Sequence, residues 1–308
     1  VTPQVFKNVS VFTPRVVIMG PWKHVRFLSI DLFRTLIMPK EGISKTYSDF
    51  GKRLLNFDFD ESSVSKAFTE AFAAVQSRWP NFGSKHKIST GKWWREVIIR
   101  TFQNSSSISE TDIRHTLTLE RTNDLCDWYA GSKPWVLMPG TISGLDKLTK
   151  IGLYLCILSN SDDRTPKIVQ NLNLDHYFKF IFFSASCAYM KPDKHIFHCV
   201  AERFSQTTGG NLDSEACLRY YAHIGDSPTR DYWGAVRAGC GGGAFLFKPH
   251  LTEAGDQNKP SSVPTNAYST TWAYTEPGLS DVPARNIVPS LLELANRLEV
   301  HNRLFAVD

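Results

Sequence analysis

The sequence predicts an α/β protein in which a mostly parallel sheet, with helices on both faces, is interrupted by an inserted α-helical cap. Three observations carry this reading. Short apolar runs of strand length recur at 25–31, 153–158, 180–183, 220–225 and 244–247, with helical stretches between the later ones. Between 41 and 135 the apolar spacing changes to steps of three and four residues. Polar residues able to do chemistry stand at the ends of several runs, where an open α/β sheet places its active site.

Taken in order, residues 1–24 form an N-terminal extension, and 25–31 the first, central strand, ending in Asp31 and followed by Thr35 and Pro39. The cap spans 41–135. Within it Val64, Ala67, Phe68, Ala71, Phe72, Val75 and Trp79 make one helical stripe, and Trp94, Val97, Ile98, Thr101 and Phe102 make another. Residues 25–40 and 136–308 form the α/β core: a helix through Leu145 and Leu148, the strand 153–158, a helix at about 164–171, then the later strands. Within the core, 252–280 is rich in Pro, Ser, Thr, Asn and Gly and reads as an irregular insertion. Pro289 can open a last helix whose stripe is Leu291, Leu294, Ala295 and Leu298.

At 308 residues, 42% hydrophobic and 21% charged, the composition is globular rather than disordered. Apolar stretches such as 16–19 and 153–158 fall far short of the ~18 residues a membrane span needs. The net charge of +5 is scattered along the chain, so no nucleic-acid partner is expected. Six cysteines without a Cys-x-x-Cys pair read as buried free thiols, not as a zinc site. The first carboxylate is Asp31, preceded by Lys7, Arg15, Lys23, His24 and Arg26, a pattern compatible with a trimmed mitochondrial leader and equally with a chain boundary at Val1.

Four segments bear the chemistry: Asp31-Leu32-Phe33-Arg34-Thr35, Ser159-Asn160, Lys191-Pro192-Asp193, and Gly225-Asp226-Ser227-Pro228-Thr229-Arg230-Asp231. In this order and spacing they resemble the haloacid dehalogenase (HAD) superfamily, and most closely its eukaryotic hydrolase-domain proteins with a helical, C1-type cap, whose core is Rossmann-like. The resemblance implies that Asp31 is a nucleophile attacking phosphorus. It also implies that Asp31, the backbone carbonyl of Phe33 and Asp226 hold Mg²⁺, with Asp231 one layer behind. Thr35 or Ser159, with the Asn160 amide, would hold phosphate oxygens, and Lys191 would offset the negative charge.

Two positions depart from that pattern. Phosphatases of the superfamily carry a second Asp where Phe33 stands, to protonate the leaving group and activate water. Phenylalanine moves no proton, and general acid–base help is worth about 10²–10⁴ in rate. Arg34 replaces the usual Gly, and could grip a substrate anion or pair with Asp31 and plug the site. Retained fold with impaired chemistry suggests first an accessory or structural subunit of a larger assembly, in the mitochondrion if the first residues are a trimmed leader and otherwise in the cytoplasm. A Mg²⁺-dependent phosphohydrolase acting on a small phosphate with a good leaving group is the alternative. A 2-haloacid dehalogenase-like hydrolase ranks third, because an apolar residue two positions after the nucleophile fits it while Asp226 would repel a substrate carboxylate.

The remaining motifs have plainer readings. His195 and His198 are three apart on a helix surface without a third ligand, and the glycines at 239–243 form a turn rather than a phosphate loop. Trp79, Trp93, Trp94, Phe68, Phe72 and Phe102 are expected mostly to fill the cap core. The sequons at Asn8 and Asn104 are expected chance matches.

Overall fold

The computed structural model describes residues 24–249 and 278–305. Nearly all of the N-terminal extension at 1–24 and of the insertion at 252–280 therefore lies outside the described residues. Six strands form one parallel sheet in the order β5-β4-β1-β6-β7-β8. They are β1 (Phe27–Ile30), β4 (Tyr154–Ser159), β5 (Phe180–Phe183), β6 (Tyr221–Gly225), β7 (Gly243–Phe247) and β8 (Ile287–Val288). The chain winds outward from β1 through β4 to β5, returns to β6 on the other side of β1, and winds outward again. Such a reversal opens a crevice at the carboxyl ends of the strands.

Alternation along each strand feeds two cores. Leu28, Ile30, Leu155, Ile157, Ala222, Ile224, Phe245 and Phe247 face one side, against Leu145 and Leu148 of α6 (Thr141–Lys150) and Leu294 and Leu298 of α11 (Leu291–Phe305). Phe27, Cys156, Leu158, Tyr221, Ala244 and Leu246 face the other, against Phe197, Val200 and Phe204 of α8 (Lys194–Thr207) and Ala235 of α10 (Trp233–Ala238). Burial on both faces is why these strands read as continuous apolar runs.

Five helices, α1 (Ile43–Leu55), α2 (Glu61–Arg78), α3 (Thr90–Asn104), α4 (Glu110–Thr116) and α5 (Leu119–Ala130), enclose a third core built around Trp93, Val97 and Phe102. Asp60, Ser89, Ser109 and Thr118 cap four of them, each side chain accepting from the backbone N–H three residues on. A short antiparallel ribbon, β2 (Ile37–Pro39) with β3 (Trp135–Leu137), closes the stem from which these helices leave the sheet. Two further α-helices, α7 (Thr165–Asn171) and α9 (Ser214–Arg219), complete the described α-helices.

Local differences from expectation have local causes. β1 is shorter than 25–31 because the Val25 backbone is satisfied by the side chain of Asn302 on α11, its N–H donating to Oδ1 (2.9 Å) and its carbonyl accepting from Nδ2 (2.8 Å). The last helix begins at Leu291 rather than Pro289, with Ser290 Oγ accepting from Glu293 N–H at its start (3.1 Å). Four cysteines are buried and two half-buried, all free. No described helix is long and apolar enough to cross a membrane.

Candidate active site

Asp31 follows β1 directly, its N–H donating to the Ile224 carbonyl and extending the ladder by one residue (2.9 Å). The chain then turns sharply: Leu36 and Ile37 N–H both return to the Leu32 carbonyl, and Arg34 N–H donates to that of Ile37. Leu32 and Leu36 anchor the turn in the core. Arg34 at its apex has φ 65°, the left-handed region that favours glycine. Its Nε lies 3.1 Å from Asp226 Oδ2. The ion pair seen is thus with Asp226, not with Asp31 as one of the sequence alternatives had it: a left-handed apex points the side chain across to the turn after β6.

Asn160, just beyond β4, clamps the backbone of Lys191 twice, its Nδ2 donating to the Lys191 carbonyl (2.7 Å) and its Oδ1 accepting from the Lys191 N–H (2.7 Å). Lys191 Nζ, thereby fixed, donates to Asp31 Oδ1 (2.6 Å), Asp231 Oδ1 (2.6 Å) and the Leu158 carbonyl (2.9 Å). The turn after β6 supplies the other two carboxylates. Asp231 folds back over Gly225 so closely that any β-carbon there would collide with its carboxylate, and its Oδ2 accepts from the Ser227 N–H (2.9 Å).

Behind these groups runs a buried chain that sequence reasoning missed. His223 Nε2 meets Asp231 Oδ1 at 3.1 Å, His223 Nδ1 meets Ser29 Oγ at 2.6 Å, and Ser29 Oγ meets Tyr221 OH at 2.6 Å. With Asp231 ionised by its contact with Lys191, the consistent assignment is a neutral His223 donating to Asp231 and accepting from Ser29. Burial, the largest effect, holds the imidazole below its usual value and favours that neutral form. The available signal was polar residues paired in register, Ser29 opposite His223, within otherwise apolar strands.

Electrostatics divide the carboxylates. Burial pushes Asp31 up to about 7, Lys191 pulling against it while Asp231 and Asp226 add to it. Burial likewise raises Asp226, opposed by Arg34. Asp231 goes the other way, Lys191 and His223 holding it well below the usual range despite its burial. Lys191 stays charged although burial opposes it, because Asp231 and Asp31 flank it.

Ligand atoms of Asp31, Asp226 and Asp231 lie within 4.8 Å of one another, a group able to hold a metal ion. Buried, mutually repelling carboxylates suit a hard divalent cation. Asp31 and Asp226 are the better placed ligands, since both oxygens of Asp231 already accept hydrogen bonds. Ser159 Oγ is buried without a hydrogen-bond partner at the cavity wall, as an anion-binding hydroxyl would be before its ligand arrives. Thr35 Oγ1 is also buried and unpartnered, but Thr35 is not among the residues that line the cavity.

A cavity of about 430 Å³ stands over these groups, between the sheet and the inserted helices α1, α2, α3 and α5. Phe33 lines it with its ring on Trp135, centroids 5.2 Å apart. Phe68, Phe72 and Trp94, expected mainly to fill the cap core, line it too. Trp94 Nε1 also donates to Asp162 Oδ2 (2.7 Å), and the Arg164 guanidinium grips both oxygens of the same carboxylate. This ties α3 to the loop after β4. His195 and His198 lie apart from the site on α8, the former on Asp193 and the latter at the Ala238 carbonyl.

A family model for haloacid dehalogenase-like hydrolases matches residues 28–239. The chain is 30% identical over 220 residues to the Rhythmically expressed gene 2 protein of Drosophila melanogaster, covering 70% of this chain and 80% of that protein. It is 25% identical over 278 residues to haloacid dehalogenase-like hydrolase domain-containing protein 3 of Mus musculus, covering 90% and 94%. Among solved structures, the HAD-hydrolase YfnB from Bacillus subtilis, described as bound to magnesium, matches with a TM-score of 0.52 at 17% identity over 90% of this chain and 99% of that one. L-2-haloacid dehalogenase from Xanthobacter autotrophicus matches with a TM-score of 0.52 at 14% identity over 88% and 97%. At such identities the structures speak for the fold alone. Sequence match and architecture together make one conclusion plain: the chain belongs to the haloacid dehalogenase-like hydrolase family.

Proposed function

We propose that this chain is a Mg²⁺-dependent phosphohydrolase confined to substrates whose leaving group departs without a proton. The observation that carries the reading is Asp31 held by Lys191 beneath a cavity, beside the unpartnered hydroxyl of Ser159. Asp31 would attack phosphorus, forming an oxygen–phosphorus bond as the bond to the leaving oxygen breaks and that oxygen takes the electron pair. Water would then attack phosphorus, breaking the aspartyl oxygen–phosphorus bond, its proton passing to the departing phosphate, so that phosphate is released and the Asp31 carboxylate restored. Lys191 would orient the nucleophile, and Ser159 with the Asn160 amide would hold phosphate oxygens. A divalent cation on Asp31, Asp226 and the Phe33 carbonyl would offset the phosphate charge.

Phe33, packed on Trp135, supplies no proton to the leaving group and no base to the water. Unactivated phosphomonoesters are therefore expected to turn over poorly. With 4-nitrophenyl phosphate or acetyl phosphate in Mg²⁺, Asp31→Asn should abolish turnover. Equal background rates for wild type and variant on both substrates would end the reading.

A second reading, the accessory or structural subunit of a larger assembly, draws support from the Arg34–Asp226 ion pair, which occupies a metal-ligand oxygen with a protein cation. The mitochondrial version of it rests only on the acid-poor first thirty residues. Native purification with identification of co-migrating chains tests it, and recovery as a lone monomer from gentle lysis counts against it.

A further inference from the structure

The cavity over Asp31 has two unlike parts, and the upper one defines a substrate class. This deepens the phosphohydrolase reading and rests on it. The floor is polar: Asp31, Ser159, Asn160, Lys191 and Asp226. The apolar part of the lining includes two aromatic groups, Phe33 against Trp135 and the cap residues Phe72, Phe82 and Trp94. Centroids in that second group lie 5.9 Å (Phe72–Trp94), 6.3 Å (Phe82–Trp94) and 6.5 Å (Phe72–Phe82) apart. At about 430 Å³, the space falls in the range of sites that enclose a whole organic ligand, far beyond what a bare phosphate fills.

Phe82 shows that this wall is held in place. It is buried at φ 56°, a conformation a bulky side chain rarely adopts. The neighbouring Asn81 secures the turn to the core through Nδ2, which donates to the carbonyls of Ser184 (2.8 Å) and Cys187 (3.0 Å). A strained aromatic residue held by such a clamp in the lining of the cavity is what a binding wall requires.

Three guanidiniums line the cavity, Arg34, Arg164 and Arg230, the first two held by the carboxylates of Asp226 and Asp162, and Glu41 adds a negative group to the lining. The cap contributes a neutral polar group as well: the Gln76 amide oxygen is buried without a hydrogen-bond partner, while its nitrogen rests 3.4 Å from Met190 Sδ.

We infer that the substrate is the phosphate monoester of an aromatic alcohol carrying a hydrogen-bond donor on its ring, the ring lying between Phe33–Trp135 and Phe72–Phe82–Trp94 and the donor reaching Gln76. The chemistry agrees with the shape. An aryl oxygen delocalises the electron pair it takes from phosphorus, so it leaves without the acid that Phe33 does not provide.

The test is calorimetric titration of the full chain in Mg²⁺ with three non-hydrolysable probes: methylphosphonate, benzylphosphonate and 4-hydroxybenzylphosphonate. Benzylphosphonate should bind roughly tenfold or more tighter than methylphosphonate, and the hydroxyl should tighten binding further. Phe72→Ala should shrink the benzyl-to-methyl affinity ratio, and Gln76→Leu should erase the hydroxyl increment alone, which a general loss of folding would not do. Equal affinities for methyl- and benzylphosphonate overturn the aromatic class while leaving the phosphate site standing. If no phosphonate binds and Asp31→Asn is indistinguishable from wild type in turnover, the phosphohydrolase reading falls and the inference falls with it.

Discussion

Replacing Phe33 by Asp should restore turnover of alkyl phosphates, and the size of the gain should depend on the leaving group. The backbone at this position is set by its neighbours, Leu32 and Leu36 in the core and the hydrogen bonds to the Leu32 carbonyl, so an aspartate there inherits the same turn. The substitution forfeits the ring contact with Trp135, worth about 0.5–1.5 kcal/mol, and adds a carboxylate near Asp31, Asp226 and Asp231. A total stability loss of roughly 1–3 kcal/mol is expected, within the usual span of point variants. Against it stands general acid catalysis of about 10²–10⁴, a barrier lower by roughly 3–5 kcal/mol. That gain belongs only to substrates whose leaving oxygen needs a proton. The assay is kcat/KM at saturating Mg²⁺ for a series from ethyl phosphate through phenyl phosphate to 4-nitrophenyl phosphate. Wild type should fall steeply as the leaving group becomes more basic. Phe33→Asp should flatten the series, gaining at least a hundredfold on ethyl phosphate and little on 4-nitrophenyl phosphate. A folded Phe33→Asp protein whose rates rise uniformly, or not at all, would refute the idea that a missing acid limits this site.

Three other outcomes follow from the same geometry. Ser159 Oγ has no partner to lose, so Ser159→Ala should shift urea-unfolding stability by less than about 1 kcal/mol while weakening methylphosphonate binding roughly 10- to 100-fold, the worth of a hydrogen bond to a charged group. Arg34→Gly removes a left-handed non-glycine residue and an ion pair whose arginine side chain is 40% exposed, so stability should stay within about 2 kcal/mol; calorimetry should show tighter Mg²⁺ binding, and weaker binding would mean that Arg34 does not compete for Asp226. Asp162 lies below its ordinary 3.8 because Arg164 and Trp94 outweigh its burial, so the stability it adds is present above that pH and vanishes as pH falls through the lower folded value. The stability gap between wild type and Asp162→Asn should therefore hold from pH 6 down to about pH 4 and begin to narrow as pH falls below 3.8, and a gap that widens there would reverse the assigned sign.

The strands and helices of the sheet were legible because burial on both faces leaves unbroken apolar runs, whereas β2, β3 and β8 are two or three residues long and carry no periodicity to read. Asp31, Ser159, Asn160, Lys191, Asp226 and Asp231 could be named because the order and spacing of the segments that carry them resemble those of the haloacid dehalogenase superfamily. Their joining could not. The Asn160 clamp on Lys191 spans thirty-one residues, and the chain from His223 to Ser29 crosses between strands separated by most of the protein. Arg34 was recognisable as unusual, but its partner depends on a backbone angle that sequence does not state. Trp94 and Phe72 carry the same helical spacing whether they face a cap core or a cavity, since one helix stripe can serve both.

The charge balance of the floor constrains how a phosphate can enter. Asp31, Asp226 and Asp231 bring three carboxylates to the floor, paired with Lys191 and Arg34, and Arg230 and Lys248 add positive charge near Asp226. Burial raises Asp31 and Asp226 all the same, so the pocket is unfavourable for added negative charge. A dianionic phosphate and a divalent cation would offset one another there, so their binding is coupled, each favouring the other. Neither that cation nor Lys191 substitutes for the absent acid: they stabilise charge on the phosphate and the nucleophile, while the electron pair leaving phosphorus must be accommodated on the far oxygen. At that end the wall offers Phe33 and Trp135, so the burden passes to the leaving group's own chemistry.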